Sequence, residues 1–347
     1  MKILHIINSL EIGGAQRLLS DLIPIQIQQG LEVDVLVGDD KESKFSEIIS
    51  NSECNILKIN RKKYKSFSGI RTIRQLIRDY DIVHVHLFPS LYLVALASLG
   101  LKTKLIYTEH STSNRRRDKA YLRPIEQFIY KQYDKIISIS QQTQTALQKW
   151  LQSYDNRFVV INNGVDVRKF EYVKSPVKNK SLIMISRFVP AKDQATAIKA
   201  LQYLDSDITL TLVGDGENLD HCKNLAQTIG VYDRINFLGS RSDVPELISS
   251  SYIGIQSSNW EGFGLTAVEI MAAGKPVIAS DVDGLKQVVE GAGIIFQNGN
   301  ANQLAEKIKL LINNKDLYNA VSSKCNNRAS QFDIKHMAYE YNRIYNE

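Results

Sequence analysis

The chain alternates short apolar runs with amphipathic stretches along almost all of its 347 residues. The apolar runs are continuous and rich in β-branched residues, which is typical of parallel strands covered on both faces. The amphipathic stretches between them, such as 15–29 and 141–151, predict helices. This alternation predicts an α/β protein with doubly wound sheets. The predicted strands are Ile3–Ile7, Val33–Val37, Ile82–Val85, Leu105–Tyr107, Ile136–Ile139 and Phe158–Ile161 in the first half, and Leu182–Ile185, Ile208–Val213, Ile235–Leu238, Tyr252–Gln256 and Val277–Ala279 in the second.

The length suffices for two domains of ordinary size. The sequence INNGVDVRKF closes the last strand of the first half with an Asn-Gly turn, and the polar stretch 174–180 that follows is typical of a linker. We therefore predict a first domain over residues 1–165, a second over 166–332, and a closing helix over 333–347.

The composition is that of an ordinary globular protein, with 44% hydrophobic and 23% charged residues. No apolar run is long enough to span a membrane, and the start of the chain predicts a first strand rather than a signal peptide. The three cysteines are odd in number and without paired spacing, which indicates a reducing cytosol and neither a disulfide framework nor a metal site. We expect a cytoplasmic protein.

The segment WEGFGLTAVEIMAAGKPVIAS places two glutamates around a glycine-rich turn that leads into a helix. Gly264 allows a ligand to approach the backbone closely, and the N-terminus of the helix favours a phosphate. Glu269 lies among apolar neighbours, and its carboxylate matches the vicinal diol of a ribose. Glu261, in the loop, is the better candidate for a sugar-ring hydroxyl, beside the amides of Phe263, Gly264 and Leu265. A sugar nucleotide has this layout.

Two cations follow the first strand of the second half, in ISRFVPAKDQATAIKAL. Arg187 and Lys192 are placed to neutralise phosphates and to stabilise a departing nucleotide. The alternative is that both are ordinary solvated surface cations. Near the start, Gly13 and Gly14 lie between a strand and a helix, where they form either a phosphate-binding turn or a plain tight turn.

Of the six histidines, His110 has the most suggestive position. His110 follows one strand at the end where ligands bind in α/β sheets. His84 and His86 alternate on one face of another strand and so mimic a metal pair. We interpret these two as structural, because no third ligand is evident, although His86 could line the ligand cleft.

Together these motifs resemble those of the retaining glycosyltransferases of the family-4 type. The early Gly-Gly, His110, NGVD, R-x4-K and E-x7-E occur in family order and extend over nearly the whole chain. The resemblance implies a GT-B fold, in which two Rossmann-like domains face each other across a cleft and the last helix returns to the first domain. It implies a donor bound mainly by the second domain and an acceptor bound by the first.

The resemblance also implies roles for single residues. Gly13 and Gly14 would lie near the donor diphosphate, and His110 would contact a hydroxyl of the transferred sugar. Gly214 would belong to the donor cleft and Arg241 to the nucleobase region. The chain departs from the family pattern in three places, namely at Gln16, at the dipeptide Asp283-Gly284 and at Gln287.

The sequence Asp281-Val282-Asp283 spells a D-x-D motif, which holds a metal in other glycosyltransferases. Here the motif follows a strand of the second domain, where the resembled family has a loop near the donor. We therefore expect no metal, no cofactor and a metal-independent reaction.

The excess of positive charge lies in the first domain. Residues 1–165 hold 23 Lys and Arg against 16 Asp and Glu, a net charge of +7, whereas the remainder carries −1. The alternatives are ordinary solvated faces or a surface that meets anionic lipid at the inner face of the membrane. Nucleic acid is not expected, because no recognised binding module or interleaved aromatic pattern is present. The cations cluster at Arg61, Lys62, Lys63, Lys65, Arg71, Arg74 and Arg78, and at Arg115, Arg116, Arg117, Lys119 and Arg123.

We predict an enzyme that transfers a hexosyl or N-acetylhexosaminyl group, with retention of configuration, from a UDP- or GDP-sugar to a glycan or lipid-linked acceptor in cell-surface polysaccharide synthesis. Two alternatives remain at this point: a catalytically silent sugar-nucleotide-binding subunit of a polysaccharide assembly complex, and a sugar-nucleotide epimerase of similar fold.

Overall fold

In the computed structural model, the described residues are 1–11, 13–39, 41–112, 114, 116–171 and 180–347. Their contacts divide the chain into two compact units. The first unit is Met1–Gly164 together with Ile334–Glu347, and the second unit is Val165–Asp333. These limits lie one residue from the predicted ones. Of the predicted linker 174–180, all but Lys180 lies outside the described residues.

The first unit contains a seven-stranded parallel sheet with helices on both faces. Its strands are β1 Lys2–Ile7, β2 Glu32–Val37, β3 Asn55–Lys58, β4 Ile82–His86, β5 Lys104–Glu109, β6 Lys135–Ser138 and β7 Phe158–Val160. Its helices are α1 Gly14–Gln28, α2 Lys44–Ser50, α3 Arg61–Tyr64, α4 Phe67–Leu76, α5 Ser90–Ala97, α6 Arg123–Tyr130 and α7 Gln141–Leu151, joined by the closing helix Ile334–Asn346.

The strand order β3-β2-β1-β4-β5-β6-β7 reverses direction between β1 and β4. Successive strand side chains point to opposite faces, so that Leu4 and Ile6 pack in one core and Ile3 and Ile7 in the other. The first core is covered by α3 to α7. The second is covered by α1, α2 and the closing helix, which buries Met337, Tyr341, Ile344 and Tyr345.

The second unit contains a six-stranded parallel sheet of order β10-β9-β8-β11-β12-β13, which reverses direction between β8 and β11. Its strands are β8 Ser181–Ile185, β9 Thr209–Val213, β10 Ile235–Phe237, β11 Ile253–Gln256, β12 Val277–Ser280 and β13 Ile294–Phe296. Its helices are α8 Gln194–Ala200, α9 Leu219–Thr228, α10 Val244–Ser250, α11 Leu265–Ala272, α12 Lys286–Val289, α13 Ala301–Asn313 and α14 Lys315–Ala329; the closing helix of the first unit is α15.

The predicted α/β class with two doubly wound sheets is confirmed. Two strands were not predicted, β3 and β13, which form the outer edges of their sheets. The segment of β3, NILK, begins and ends with a polar residue, and β13 is only three residues long. Edge strands are covered by one neighbour only, so they need no long apolar run. Within the described part of the chain, no helix is both long and apolar enough to cross a bilayer.

Candidate functional site

The predicted donor residues of the second unit follow the carboxyl ends of its parallel strands. Arg187 follows β8, Gly214 follows β9 and Glu261 follows β11, and the D-x-D segment follows β12 at the same edge. The sheet order reverses between β8 and β11, which is where ligands bind in open α/β sheets. The loop that carries Arg187 and Lys192 and the loop that carries Glu261 therefore flank this switch point.

Hydrogen bonds hold these two loops together. The backbone N–H of Asn259 donates to the carbonyl of Ala191 at 2.8 Å, and its side-chain amide donates to the carbonyl of Pro190 at 2.8 Å. The Ser257 hydroxyl donates to the carbonyl of Asp193 at 2.7 Å. Because these bonds reach backbone carbonyls, they position the loops whatever ligand is bound.

Lys192 and Glu261 form an ion pair across the same two loops. The side chains are only 19% and 15% exposed, so water screens this pair less than a surface pair. The sequence-based prediction directed Lys192 at a phosphate and Glu261 at a sugar hydroxyl. The structure brings the two groups together, so a phosphate that binds Lys192 would lie beside the Glu261 carboxylate. The Arg187 side chain is exposed.

Gly214 is required by a close approach of two backbones. Its φ of 132° is unfavourable for residues with a side chain, and a Cβ at this position would collide with the Ser186 carbonyl oxygen. Beyond the strand ends, the backbone N–H of Ser186 donates to the carbonyl of Val213, and the backbone N–H of Phe188 donates to the carbonyl of Asp215, each at 2.9 Å. The predicted donor-cleft glycine thus fixes the loop that carries Arg187.

Helix α11 begins at the glycine turn, with Gly264 as its N-cap and Leu265 as its first residue. The ring of Phe263 is buried and packs edge-on against Phe332, so only the backbone of Phe263 remains for a ligand. Glu269 is 1% exposed, as its apolar neighbours predicted.

The D-x-D segment makes contacts within the second unit. Asp281 pairs with Lys286 at 3.0 Å. Gly284 has φ 83°, and a Cβ there would collide with the carbonyl oxygen of Glu261. The loop that departs from the family pattern therefore packs on the loop of the first glutamate. Arg241 lies after β10, and its guanidinium donates two hydrogen bonds to the carboxylate of Asp243, at 2.7 and 2.8 Å.

In the first unit, the corresponding switch point lies between β1 and β4. Gly13 is the N-cap of α1, and Gly14 is the first residue of that 15-residue helix. The backbone of Gly13 is extended, a conformation open to any residue, so its lack of a side chain is not required by its φ. His110 follows β5, the strand next to β4, and is half-buried.

A third imidazole, which was not evident from the sequence, lies beside His84 and His86. His5 on β1 is the register partner of His84, and ring nitrogens of the three residues lie within 4.8 Å of one another. Both nitrogens of each ring, however, already have hydrogen-bonding partners. His5 bonds with Gln26 and His86, His84 with Tyr345 and Thr108, and His86 with His5 and His110, at 2.7 to 3.2 Å. This buried cluster is therefore a hydrogen-bonded network.

Two arginines after His110 serve structure rather than an exposed surface, which corrects part of the lipid-facing prediction. Arg117 pairs with buried Glu109 at 2.8 Å, and Arg116 pairs with buried Glu126 at 2.7 Å. Burial of the carboxylates makes these ion pairs part of the core. Arg115 lies outside the described residues.

The first basic cluster is largely exposed. Arg74 is an exception, because its guanidinium donates to the carbonyls of Ala97 and Leu99, each at 2.7 Å. Arg123 lies 5.0 Å above the Trp150 ring. The predicted cations that remain exposed are Arg61, Lys62, Lys63, Lys65, Arg71, Arg78 and Lys119.

Several positioning residues were missed by sequence reasoning. Buried Gln194 donates to the carbonyl of Arg187 at 2.9 Å, and Asn259 holds the opposite loop. His5 and Gln26 belong to the imidazole network. His5 could have been found by aligning β1 with β4, since both strands carry histidines at matching positions. Asn259 shows no such signal, because its bond to Pro190 joins segments 69 positions apart.

Family comparisons agree with this arrangement. The Glycosyltransferase Family 4 model matches residues 12–169, and the Glycosyl transferases group 1 model matches residues 167–328. The two matches correspond to the first and second units.

Curated relatives are similar over most of their length. The chain is 27% identical to the UDP-Gal:alpha-D-GlcNAc-diphosphoundecaprenol alpha-1,3-galactosyltransferase of Escherichia coli, over 76% of this chain and 75% of that protein. It is 24% identical to the GDP-mannose:cellobiosyl-diphosphopolyprenol alpha-mannosyltransferase of Komagataeibacter xylinus, over 100% and 93%.

Among solved structures, HepE of Anabaena in complex with UDP and glucose resembles this chain with a TM-score of 0.89 at 24% identity, over 99% of both chains. That likeness shows the fold. We conclude that the chain is a glycosyltransferase of the GT-B fold, composed of a family 4 first domain and a glycosyl transferases group 1 second domain.

Proposed function

We propose that the protein transfers a sugar from a nucleotide-diphosphate sugar to a lipid-linked glycan, with retention of configuration. The observation that carries the donor assignment is the position of Lys192 and Glu261 at the switch point of the second sheet. Arg187 follows the same strand end, and buried Glu269 lies within the following helix. These groups supply cations for a diphosphate and carboxylates for sugar hydroxyls.

The proposed reaction uses fixed protein charge at the leaving group. When the bond from sugar to phosphate breaks, negative charge increases on the nucleotide diphosphate, and Arg187 and Lys192 stabilise it. We propose that these two cations replace a metal ion in that role. Glu261 is engaged by Lys192, which fits a carboxylate that orients the sugar better than one that attacks it.

The acceptor class follows from the relatives. The galactosyltransferase of E. coli and the mannosyltransferase of K. xylinus both have diphosphopolyprenol-type acceptors in their names. Their donors differ in the base, UDP in one and GDP in the other. We propose a diphosphopolyprenol-linked glycan as acceptor and cell-surface polysaccharide synthesis as the process.

A thermal-shift screen with UDP, GDP, ADP and their sugar derivatives, with and without EDTA, tests the donor assignment. A ligand at 100 times its dissociation constant stabilises the native state by about 2.7 kcal/mol, so we expect a raised Tm for one base. The shift should persist in EDTA. Absence of a shift with every nucleotide would contradict the proposal.

A second measurement follows transfer itself. The selected donor is incubated with a diphosphopolyprenol-linked sugar, and both free nucleotide diphosphate and extended acceptor are measured. Nucleotide binding without product would indicate a silent binding subunit. Conversion of the donor sugar without glycosylated acceptor would indicate an epimerase.

We also propose that one face of the first unit contacts anionic lipid. Helix α5 packs between α4 and α6. Exposed apolar side chains lie on α4, on α6 and just before α6. Tyr121, Ile125 and Phe128 have helical spacing and point to one side, and Phe67 is 74% exposed. Exposed cations on α3 and α4 add attraction of about 1 kcal/mol each near an anionic surface.

Vesicle co-sedimentation tests this contact. Replacement of Tyr121, Ile125 and Phe128 together by serine should weaken binding to vesicles containing phosphatidylglycerol on the order of tenfold, because apolar burial is lost. Replacement of Tyr203, an exposed aromatic residue of the second unit, by serine is the control and should leave binding unchanged. Equal binding to vesicles of neutral phosphatidylcholine would contradict an electrostatic contribution.

A further inference from the structure

A chain of hydrogen bonds leads from helix α1 to His110 through two buried imidazoles. Gln26 Oε1 lies 2.9 Å from His5 Nε2, and His5 Nδ1 lies 3.0 Å from His86 Nε2. His86 Nδ1 then lies 3.2 Å from His110 Nε2. Every link joins side chains, and Gln26, His5 and His86 are completely buried.

The three imidazoles of this hydrogen-bond chain, those of His5, His86 and His110, are neutral at physiological pH. Burial lowers the pKa of both His5 and His110 to about 4, and it lowers the pKa of His86 well below its ordinary value. A neutral imidazole has one N–H donor and one bare nitrogen acceptor. Each link therefore determines the tautomer of the next ring.

The amide of Gln26 sets the direction of the chain. Its Nε2 donates to the Tyr345 hydroxyl at 3.3 Å, which leaves Oε1 to accept from His5 Nε2–H. His5 Nδ1 is then bare and accepts from His86 Nε2–H, and His86 Nδ1 accepts from His110 Nε2–H. The bare nitrogen of His110 is consequently Nδ1, for which the described part of the chain shows no hydrogen bond.

We propose that Gln26, His5 and His86 are positioning residues that hold His110 in the tautomer whose Nδ1 accepts a hydrogen bond from a hydroxyl of the substrate. The opposite orientation of the Gln26 amide would reverse every bond and turn Nδ1 into a donor. One buried amide, separated from His110 by two rings, therefore decides whether the site accepts or donates. The inference rests on the proposed function only for the identity of the substrate hydroxyl.

Imidazole-nitrogen NMR of the isotope-labelled full-length protein tests the tautomer directly. The His110 signals are assigned by their loss in His110→Asn. We expect Nδ1 in the shift range of bare nitrogen and Nε2 in the range of protonated nitrogen. A protonated Nδ1 in the wild-type protein overturns the proposal. The measurement does not depend on enzymatic activity.

Gln26→Leu removes the acceptor with which the hydrogen-bond chain begins. We expect the His110 signals to move toward the average of two tautomers, and kcat/KM to fall about tenfold, as for the loss of one hydrogen bond to substrate. Gln26→Glu keeps an acceptor toward His5 and should retain the wild-type tautomer. Thr108→Val is the matched control, because Thr108 bonds His84 in the same network at 2.7 Å but lies off this chain.

An unchanged single tautomer in Gln26→Leu would overturn the positioning role. If the tautomers behave as expected but no nucleotide sugar is turned over, the positioning role stands and the proposed function fails. If Gln26→Leu does not fold, the wild-type and Gln26→Glu spectra decide.

Discussion

Arg187→Ala and Lys192→Ala should each lower kcat on the order of 10²–10³-fold, the usual cost of removing a preorganised anion-stabilising group. Both residues follow the end of β8, at the switch point of the second sheet. The Arg187 side chain is exposed, so its removal should leave the fold intact. The effect should therefore appear in turnover and not in Tm.

The Lys192 variant needs a separate control, because it leaves the half-buried Glu261 carboxylate without its cation. Lys192→Ala with Glu261→Gln removes both charges and should restore Tm without restoring turnover. Lys199→Ala is the matched cation control: Lys199 is exposed on α8 in the same unit and should be replaceable without effect. Wild-type rates in Arg187→Ala and Lys192→Ala would remove both residues from the leaving-group site.

Glu126→Leu should destabilise the first unit by about 3–5 kcal/mol, the range observed when one partner of a buried ion pair is removed. The carboxylate of Glu126 is completely buried and accepts from Arg116 at 2.7 Å, Tyr92 at 2.7 Å and Trp150 at 2.6 Å. The substitution would leave three donors without an acceptor. Donors that are wholly or mostly buried and left without an acceptor cost the native state their lost hydration.

Urea unfolding followed by tryptophan fluorescence measures this loss. The chain has two tryptophans, and Trp150 is the one in the first unit, in direct contact with Glu126. Glu340→Leu is the control, because Glu340 pairs within α15 with Arg343, whose side chain is 56% exposed, and this i,i+3 pair should be worth less than about 1 kcal/mol. A loss below that value in Glu126→Leu would show that the buried cluster contributes little.

The two predictions differ in how much of each could be made from the sequence alone. Arg187, Lys192 and the two glutamates were proposed from motifs, because a cation after a strand or a glycine turn before a helix is a local pattern. No local pattern in the sequence indicates the role of Glu126. Its three partners come from the loop after β5 and from α5 and α7, which adjoin α6 only in the folded unit.

The sequence by itself determined the strand and helix alternation, the division into two domains and the helix that follows the glycine turn. Side-chain periodicity and capping residues act over a few neighbouring positions, so they can be read directly. Gly30 and Gly274 follow helices α1 and α11 with left-handed φ values of 82° and 67°, the conformation that glycine commonly adopts just after a helix.

Only the tertiary structure decided which of the candidate residues meet. The strand orders place β1 beside β4 and β8 beside β11, and no local pattern encodes those neighbours. The ion pair between Lys192 and Glu261 spans 69 positions, and the bond between His5 and His86 spans 81. Such contacts depend on the packing of whole sheets, which is why the sequence could name the charged groups of the candidate site but not their partners.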